Sequence, residues 1–361
     1  MTLSLTAITS ALIAQRLRLH GRNLLRFTGL AKVQPLPINP NNVLKLDRGT
    51  FKQGESVVRI RIATRGSKLA MWQANDVAKR IRENVSGAET EVVPIVTDGD
   101  RIQDRPLHEV EGKTLFIKEV EAALAAGRAD LAVHCIKDYH PQTPPEFTIA
   151  AYPEGESERD LLITRSELKS IDDLPQGAVI GTTSQRRVFF LKKVRPDLQF
   201  GLLRGNIDTR LARLYEGRFD AIVLAEAGIN RLEISLEHAL PLPNEIMLPA
   251  VGQGALAIEV CSHNTELAEV LSIFNHKPTQ IRVEAERAFI SGLSANCKSA
   301  VGVTCVHLND GRIHLKGHVG HPDTLEDLSG EMTGAADQAR ELGQALADQL
   351  LEQGAARLLD I

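Results

Sequence analysis

Apolar residues along this chain alternate between two rhythms. Short apolar runs at 58–63, 92–96, 130–134, 178–181, 198–203 and 221–224 have the length of buried strands. Between them, 68–82, 115–126, 185–194 and 206–216 carry apolar positions at helical spacing. Such β/α alternation predicts sheets with helices on both faces and ligands at the carboxyl ends of the strands. Two segments interrupt the pattern. Residues 139–146 hold Pro141, Pro144 and Pro145 and predict a surface loop. Residues 247–255, rich in Gly and Pro, predict a crossing between domains. Beyond it the rhythm changes: a helix over 279–292, strands over 300–308 and 311–319, and a last helix over 335–352 predict a smaller α+β domain.

The amino-terminal stretch breaks with this order. Pro35, Pro37, Pro40 and Gly49 mark residues 35–56 as a linker. The first 46 residues carry Arg16, Arg18, Arg22, Arg26, Lys32 and Lys45 and no acid. They therefore hold +6, leaving −10 on the rest of a chain whose net charge is −4. Leucines interleave with those arginines, which reads equally as an organellar transit peptide or as a disordered or mis-assigned upstream extension. A cytoplasmic protein is expected in the second case, and a plastid or mitochondrial matrix protein if residues 1–50 are cleaved. No uninterrupted apolar run reaches the ~18 residues of a membrane span.

Charge and composition narrow the chemistry. A pI near 6.3 and 4% aromatic residues argue against a nucleic-acid protein, so the arginines are expected to converge on one cleft. The four cysteines show no CxxC pairing, which predicts no disulfide, no metal and a reducing compartment. Three segments share one device: Arg59-Ile-Arg-Ile-Ala-Thr-Arg-Gly-Ser67, Val179-Ile-Gly-Thr-Thr-Ser-Gln-Arg-Arg187 and Leu202-Leu-Arg-Gly-Asn-Ile-Asp-Thr-Arg210. Each puts Gly, Ser, Thr or Asn where a strand gives way to a helix, with arginine beside the turn. Free N–H groups at a helix start and a guanidinium fork bind anions. Three such turns predict a ligand with several carboxylates or phosphates.

Longer motifs then stand in order. They are Ile62-Ala-Thr-Arg-Gly-Ser67, Lys113-Thr-Leu-Phe-Ile-Lys-Glu119, Val133-His-Cys-Ile-Lys-Asp138, Gly181-Thr-Thr-Ser-Gln-Arg-Arg187, Leu203-Arg-Gly-Asn206, Leu224-Ala-Glu-Ala-Gly228 and Pro249-Ala-Val-Gly-Gln-Gly254. In order and spacing the chain resembles the porphobilinogen deaminase (hydroxymethylbilane synthase) family, from about Val57 to Ile361. The resemblance implies an α/β protein with two periplasmic-binding-protein type II-like domains and a smaller C-terminal α+β domain. The expected divisions are an extension at 1–56, a first domain at 57–153 plus 255–274, a second at 158–248 and a third at 277–361.

The activity implied is head-to-tail condensation of four porphobilinogen units, with loss of ammonia, into the linear tetrapyrrole hydroxymethylbilane of heme and chlorophyll synthesis. It implies a monomer primed by a dipyrromethane cofactor in thioether linkage to Cys297, without nucleic-acid or membrane partners. Asp138 matches the catalytic aspartate, where a carboxylate would stabilise the cation left by ammonia and accept pyrrole N–H groups. Arg65, Arg186, Arg187, Arg204, Arg210 and Arg231 match the family's cofactor- and substrate-binding arginines. Ser67, Thr183 and Ser184 would add donors, and Lys137 would contact a carboxylate or Asp138 itself. Lys113 and Lys118 flank Phe116 in a substrate loop, where Phe116 either stacks on a pyrrole or faces the core. Gln73 and Asp100 are weaker candidates. A thiolate at Cys297 could trap the electrophile that the enzyme itself generates.

The chain departs from the family pattern in places. Ala295 and Asn296 replace the glycines before Cys297, and Ala300 replaces a proline three residues after it. Cys135 and His140 stand where serine and proline are usual, and residues 154–159 lack one usual arginine. These leave open a divergent copy of weak activity, or a two-lobed polycarboxylate-binding protein without catalysis.

Overall fold

The computed structural model describes residues 58–101, 116–295 and 299–359. The expectations for 1–56, Lys113 and Cys297 lie outside them. In chain order the first strands and helices are β1 (Val58–Arg65), α1 (Lys68–Asn84), β2 (Ala88–Ile95), α2 (Asp98–Arg101), α3 (Lys118–Ala125), β3 (Leu131–Cys135) and β4 (Phe147–Ala151). After a crossing come β5 (Asp160–Thr164), β6 (Val179–Gly181), α4 (Gln185–Val194), β7 (Gln199–Gly201), α5 (Ile207–Tyr215), β8 (Ala221–Ala225), α6 (Glu226–Arg231) and β9 (Ala239–Leu242). A second crossing leads to β10 (Leu256–Cys261), α7 (Thr265–Leu271), α8 (Lys277–Gly292), β11 (Ala300–His307), β12 (Arg312–Gly320), β13 (Asp327–Ala335) and α9 (Ala339–Glu352).

The strands form two five-stranded sheets, ordered β2-β1-β3-β10-β4 and β7-β6-β8-β5-β9, and a three-stranded sheet β11-β12-β13. The two larger sheets repeat one plan. Three parallel strands run in the order second-first-third, then an antiparallel strand arrives from the other lobe: β10 in the first sheet, β5 in the second. Each lobe is thus completed by a strand that the chain delivers through a crossing. The antiparallel third sheet packs against α8 and α9 around Phe289, Leu315, Leu346 and Leu350, forming the smaller C-terminal domain.

Local sequence explains the elements that bear the site. Helix α1 starts at Ser67, whose Oγ accepts from the Ala70 N–H, and buries Ala70, Gln73, Ala74, Val77, Ala78 and Ile81 along one stripe. Helix α4 starts likewise at Ser184, which accepts from the Arg187 N–H. Two expectations shift. The run 198–203 pairs only over Gln199–Gly201, and the last helix begins at Ala339 because 327–335 is spent on β13. Across the cleft, Lys68 Nζ lies 2.5 Å from Asp208 Oδ2, joining the starts of α1 and α5.

Candidate active site

The chain leaves β3 in a single 3₁₀ turn, Ile136–Asp138, which carries Lys137 and Asp138 out of the sheet at its carboxyl end. The turn is anchored below, where the Ile136 N–H donates to Ala255 O at 3.1 Å. Gly252 lies close beneath it at φ 64, and a Cβ there would sit 2.0 Å from Ile136 Cγ2. Both Lys137 and Asp138 are exposed, and both line a cavity of about 90 Å³ together with Arg65, Ser67, Gln73, Phe116 and Cys135. At that size the cavity is the inner end of a groove rather than a whole ligand site. The Arg65 guanidinium lies 3.9 Å from the centroid of Phe116, so this half-buried ring, just ahead of α3, faces a cation and not the core. Gln73 is 3% exposed, and its Nε2 has no hydrogen-bond partner. Lys118, the first residue of α3, is exposed. The Asp100 side chain and Lys113 lie outside the described residues.

Positive charge gathers opposite. Burial, and then the Arg187, Arg204 and Arg213 cations, push the half-buried Arg210 guanidinium down to about 10, with Asp138 pulling the other way. Arg210 Nε donates to Gly205 O at 2.8 Å, and Arg213 donates to Arg204 O at 3.0 Å. Carbonyls thus satisfy donors without cancelling charge. Among the described residues no carboxylate forms an ion pair with Arg210, so the cluster carries a surplus of positive charge beside Asp138.

Two arginines expected to grip a ligand also bond to protein groups. Arg186 Nη2 donates to Asp160 Oδ2 at 2.8 Å and its Nη1 to Leu248 O at 2.6 Å. Arg187 donates to Asp160 Oδ1 through Nη2 at 2.7 Å and to Val223 O at 2.8 Å. Adjacent guanidiniums buried in one helix require an anion, and Asp160, 1% exposed at the start of β5, supplies it. Burial pushes the Asp160 carboxyl up, but its two arginines outweigh that and hold it at about 2. Arg231 is buried and donates to Gly254 O at 2.6 Å in the second crossing. Ser67 and Ser184 act as helix caps, and Thr183 is half-buried beside Ser184. Sequence reasoning missed Asp160, although an aspartate opening the apolar run Leu161-Leu-Ile-Thr164 was a signal for a buried counterion.

Cys297 lies outside the described residues. The chain reaches it from α8 through Ala295 and resumes at Ser299, just before β11. Among the described residues of this approach Ser294 is left-handed, at φ 52, and Ala295 is not.

Comparison with known proteins bears directly on this arrangement. Residues 60–269 match the family model described as "Porphobilinogen deaminase, dipyromethane cofactor binding domain", and residues 280–352 match "Porphobilinogen deaminase, C-terminal domain". The chain belongs to the porphobilinogen deaminase family. The porphobilinogen deaminase of Maridesulfovibrio salexigens is 43% identical over 302 residues, covering 84% of this chain and 97% of that protein. Solved structures similar to it include an ancestral cationic amino-acid solute-binding protein, with 16% identity, TM-score 0.39, and coverage of 60% of this chain and 87% of that one. Another is a probable amino-acid ABC transporter extracellular-binding protein of Bacillus subtilis, with 10% identity, TM-score 0.37, and coverage of 61% and 90%. The deaminase family match begins after the acid-free amino-terminal stretch and takes in both crossings and the Asp138 turn. No helix among the described residues is long and apolar enough to cross a membrane.

Proposed function

We propose that this chain is a hydroxymethylbilane synthase, a transferase that joins four porphobilinogen molecules head to tail and releases one ammonia for each. The observation that carries the reading is the surplus of guanidinium charge around Arg210 beside the exposed carboxylate of Asp138. Each pyrrole of the substrate brings two carboxylates, which that surplus attracts, while Asp138 meets the opposite need of a transient cation.

The residues present fit a dipyrromethane. The buried, unpartnered Nε2 of Gln73 supplies a donor beside Asp138, and Arg65, Arg204 and Arg210 supply cations for carboxylates. Cys297 would hold the group covalently, with Ser67, Thr183, Ser184 and Lys137 adding polar contacts. When bound, it supplies the pyrrole carbon on which the first porphobilinogen is accepted. Asp138 accepts the pyrrole N–H of the incoming ring and stabilises the positive charge left as ammonia departs. Arg186, Arg187 and Arg231 would add further cations for the cofactor's carboxylates; Arg186 and Arg187 are also paired with Asp160, and Arg187 adds to the positive field at Arg210. Phe116 lines the cavity, and Lys118 opens the helix that follows it; Lys113 would serve the same substrate loop.

The protein acts as a monomer on this small-molecule substrate. Its compartment is the cytoplasm, or an organelle if residues 1–50 are cleaved, which amino-terminal sequencing of native protein decides. The purified chain, given porphobilinogen, is expected to release four ammonia molecules per hydroxymethylbilane formed. Tight binding of porphobilinogen without ammonia release would favour a polycarboxylate receptor instead.

A further inference from the structure

No role given to Asp138 or to the arginines uses Glu259, a fully buried carboxylate on β10. Its Oε2 lies 2.9 Å from His134 Nε2, and its Oε1 accepts the hydroxyl of Tyr139. His134 is the penultimate residue of β3, and Tyr139 directly follows Asp138. One carboxylate therefore ties down the chain on both sides of the 3₁₀ turn. The register of β10 against β4 shifts between Ile258 and Glu259, a bulge of the kind that re-aims a side chain.

The surroundings tighten the grip. The His134 and Tyr139 rings are 5.2 Å apart, and Arg287 lies 5.2 Å from the Tyr139 ring centroid. Arg287 also donates to His140 O at 2.9 Å and Thr143 Oγ1 at 3.0 Å, fixing the chain beyond. Burial pushes the Tyr139 hydroxyl up, so it stays a donor. Asp138, by contrast, is exposed, and among the described residues no hydrogen bond holds its carboxylate. Its position is set through its backbone, and the backbone is set by its neighbours.

The geometry points to Glu259 as a positioning residue for Asp138, holding the catalytic turn to the strand that returns from the second lobe. This inference rests on the role proposed for Asp138. It predicts a loss confined to steps that need Asp138 in register, because a displacement of about 1 Å costs on the order of 10²-fold in rate.

The test uses full-length E259L, E259Q, Y139F and D138N, with the double variants D138N/E259L and D138N/Y139F. Each is measured for kcat, KM, thermal midpoint and covalently bound pyrrole by intact mass. E259L is expected to lower kcat about 10²-fold, with KM moving less than about threefold. E259Q still accepts from Tyr139, and donates to His134 once that ring carries its proton on Nδ1, so it recovers part of that loss. Y139F keeps the ring and removes one arm, so its kcat falls about tenfold even if E259L does not fold. In the D138N background neither E259L nor Y139F adds a further loss, because the residue being positioned has gone. Losses that multiply in the double variants mark a general structural role and overturn the inference, as does wild-type kcat in E259L and Y139F. If D138N itself turns over normally, the Asp138 assignment fails and takes this inference with it.

Discussion

Arg187 and Asp160 meet in the interior of the second lobe, Nη2 to Oδ1 at 2.7 Å, while Arg186 holds the other carboxylate oxygen at 2.8 Å. Asp160 is the first residue after the first crossing, and the arginines open α4, so one buried ion cluster fastens the crossing to the helix. Removing the anion leaves two interior cations without a partner. Asp160→Asn is expected to cost about 3–5 kcal/mol in urea unfolding. The double variant Asp160→Asn, Arg186→Met should recover part of that.

The same cluster sets an acid limit. The Asp160 carboxyl is held at about 2 in the folded protein, below its ordinary 3.8. Its contribution, about 2 kcal/mol at 1.36 per unit, is therefore complete above the unfolded value and lost as pH falls through the folded one. Unfolding midpoints followed from neutral pH into acid should fall more steeply for wild type than for Asp160→Asn.

Glu286 predicts the opposite slope. It accepts the Gly252 N–H at 2.7 Å and shares Arg282 with Glu158 at the junction of the second crossing and α8. Burial pushes its carboxyl up to about 7 from 4.5, against the pull of Arg282. Between those values the folded state keeps a proton that the unfolded chain has lost, so this group's contribution declines as pH rises through the window. Glu286→Gln should flatten that decline. An unchanged pH profile in the variant would refute the assignment.

At Arg210 stability and function should part company. Arg210→Leu removes a half-buried cation that is repelled by Arg187, Arg204 and Arg213. The thermal midpoint is expected to hold or rise. kcat/KM for porphobilinogen should drop about 10- to 100-fold, the worth of a charge-assisted contact of roughly 1.5–3 kcal/mol. A lowered midpoint with unchanged kcat/KM would show the reverse.

Much of the fold and part of the site are legible in the residues themselves. Helix α4 falls over 185–194 as its spacing predicts, because Ser184 caps it and its Phe189, Phe190 and Leu191 are buried. Strand β13 carries a weaker signal: Leu328 and Met332 alternate with the exposed Ser329, Glu331 and Thr333, but Gly330 and Gly334 thin its apolar face. The arginine-bearing turns are visible because Gly, Ser and Asn mark helix starts. What each guanidinium faces is not visible, since it depends on a partner far away in sequence. Asp160 stands 26 residues from Arg186, and Glu259 stands 125 from His134. Local patterns carry secondary structure, whereas counterions are chosen by topology.

Catalysis and folding should also separate at Asp138, which is exposed and bears no structural hydrogen bond among the described residues. Asp138→Asn is expected to lower kcat about 10²- to 10³-fold with an unaltered thermal midpoint. Normal turnover in that variant would remove the carboxylate from the mechanism.

The most direct measurement is the mass of the intact chain after exposure to porphobilinogen. The wild-type protein should carry the increment of two pyrrole units, peptide mapping should locate it on Cys297, and Cys297→Ala should lack it. A wild-type chain that keeps the mass of bare polypeptide and leaves porphobilinogen unconsumed would contradict the proposed synthase.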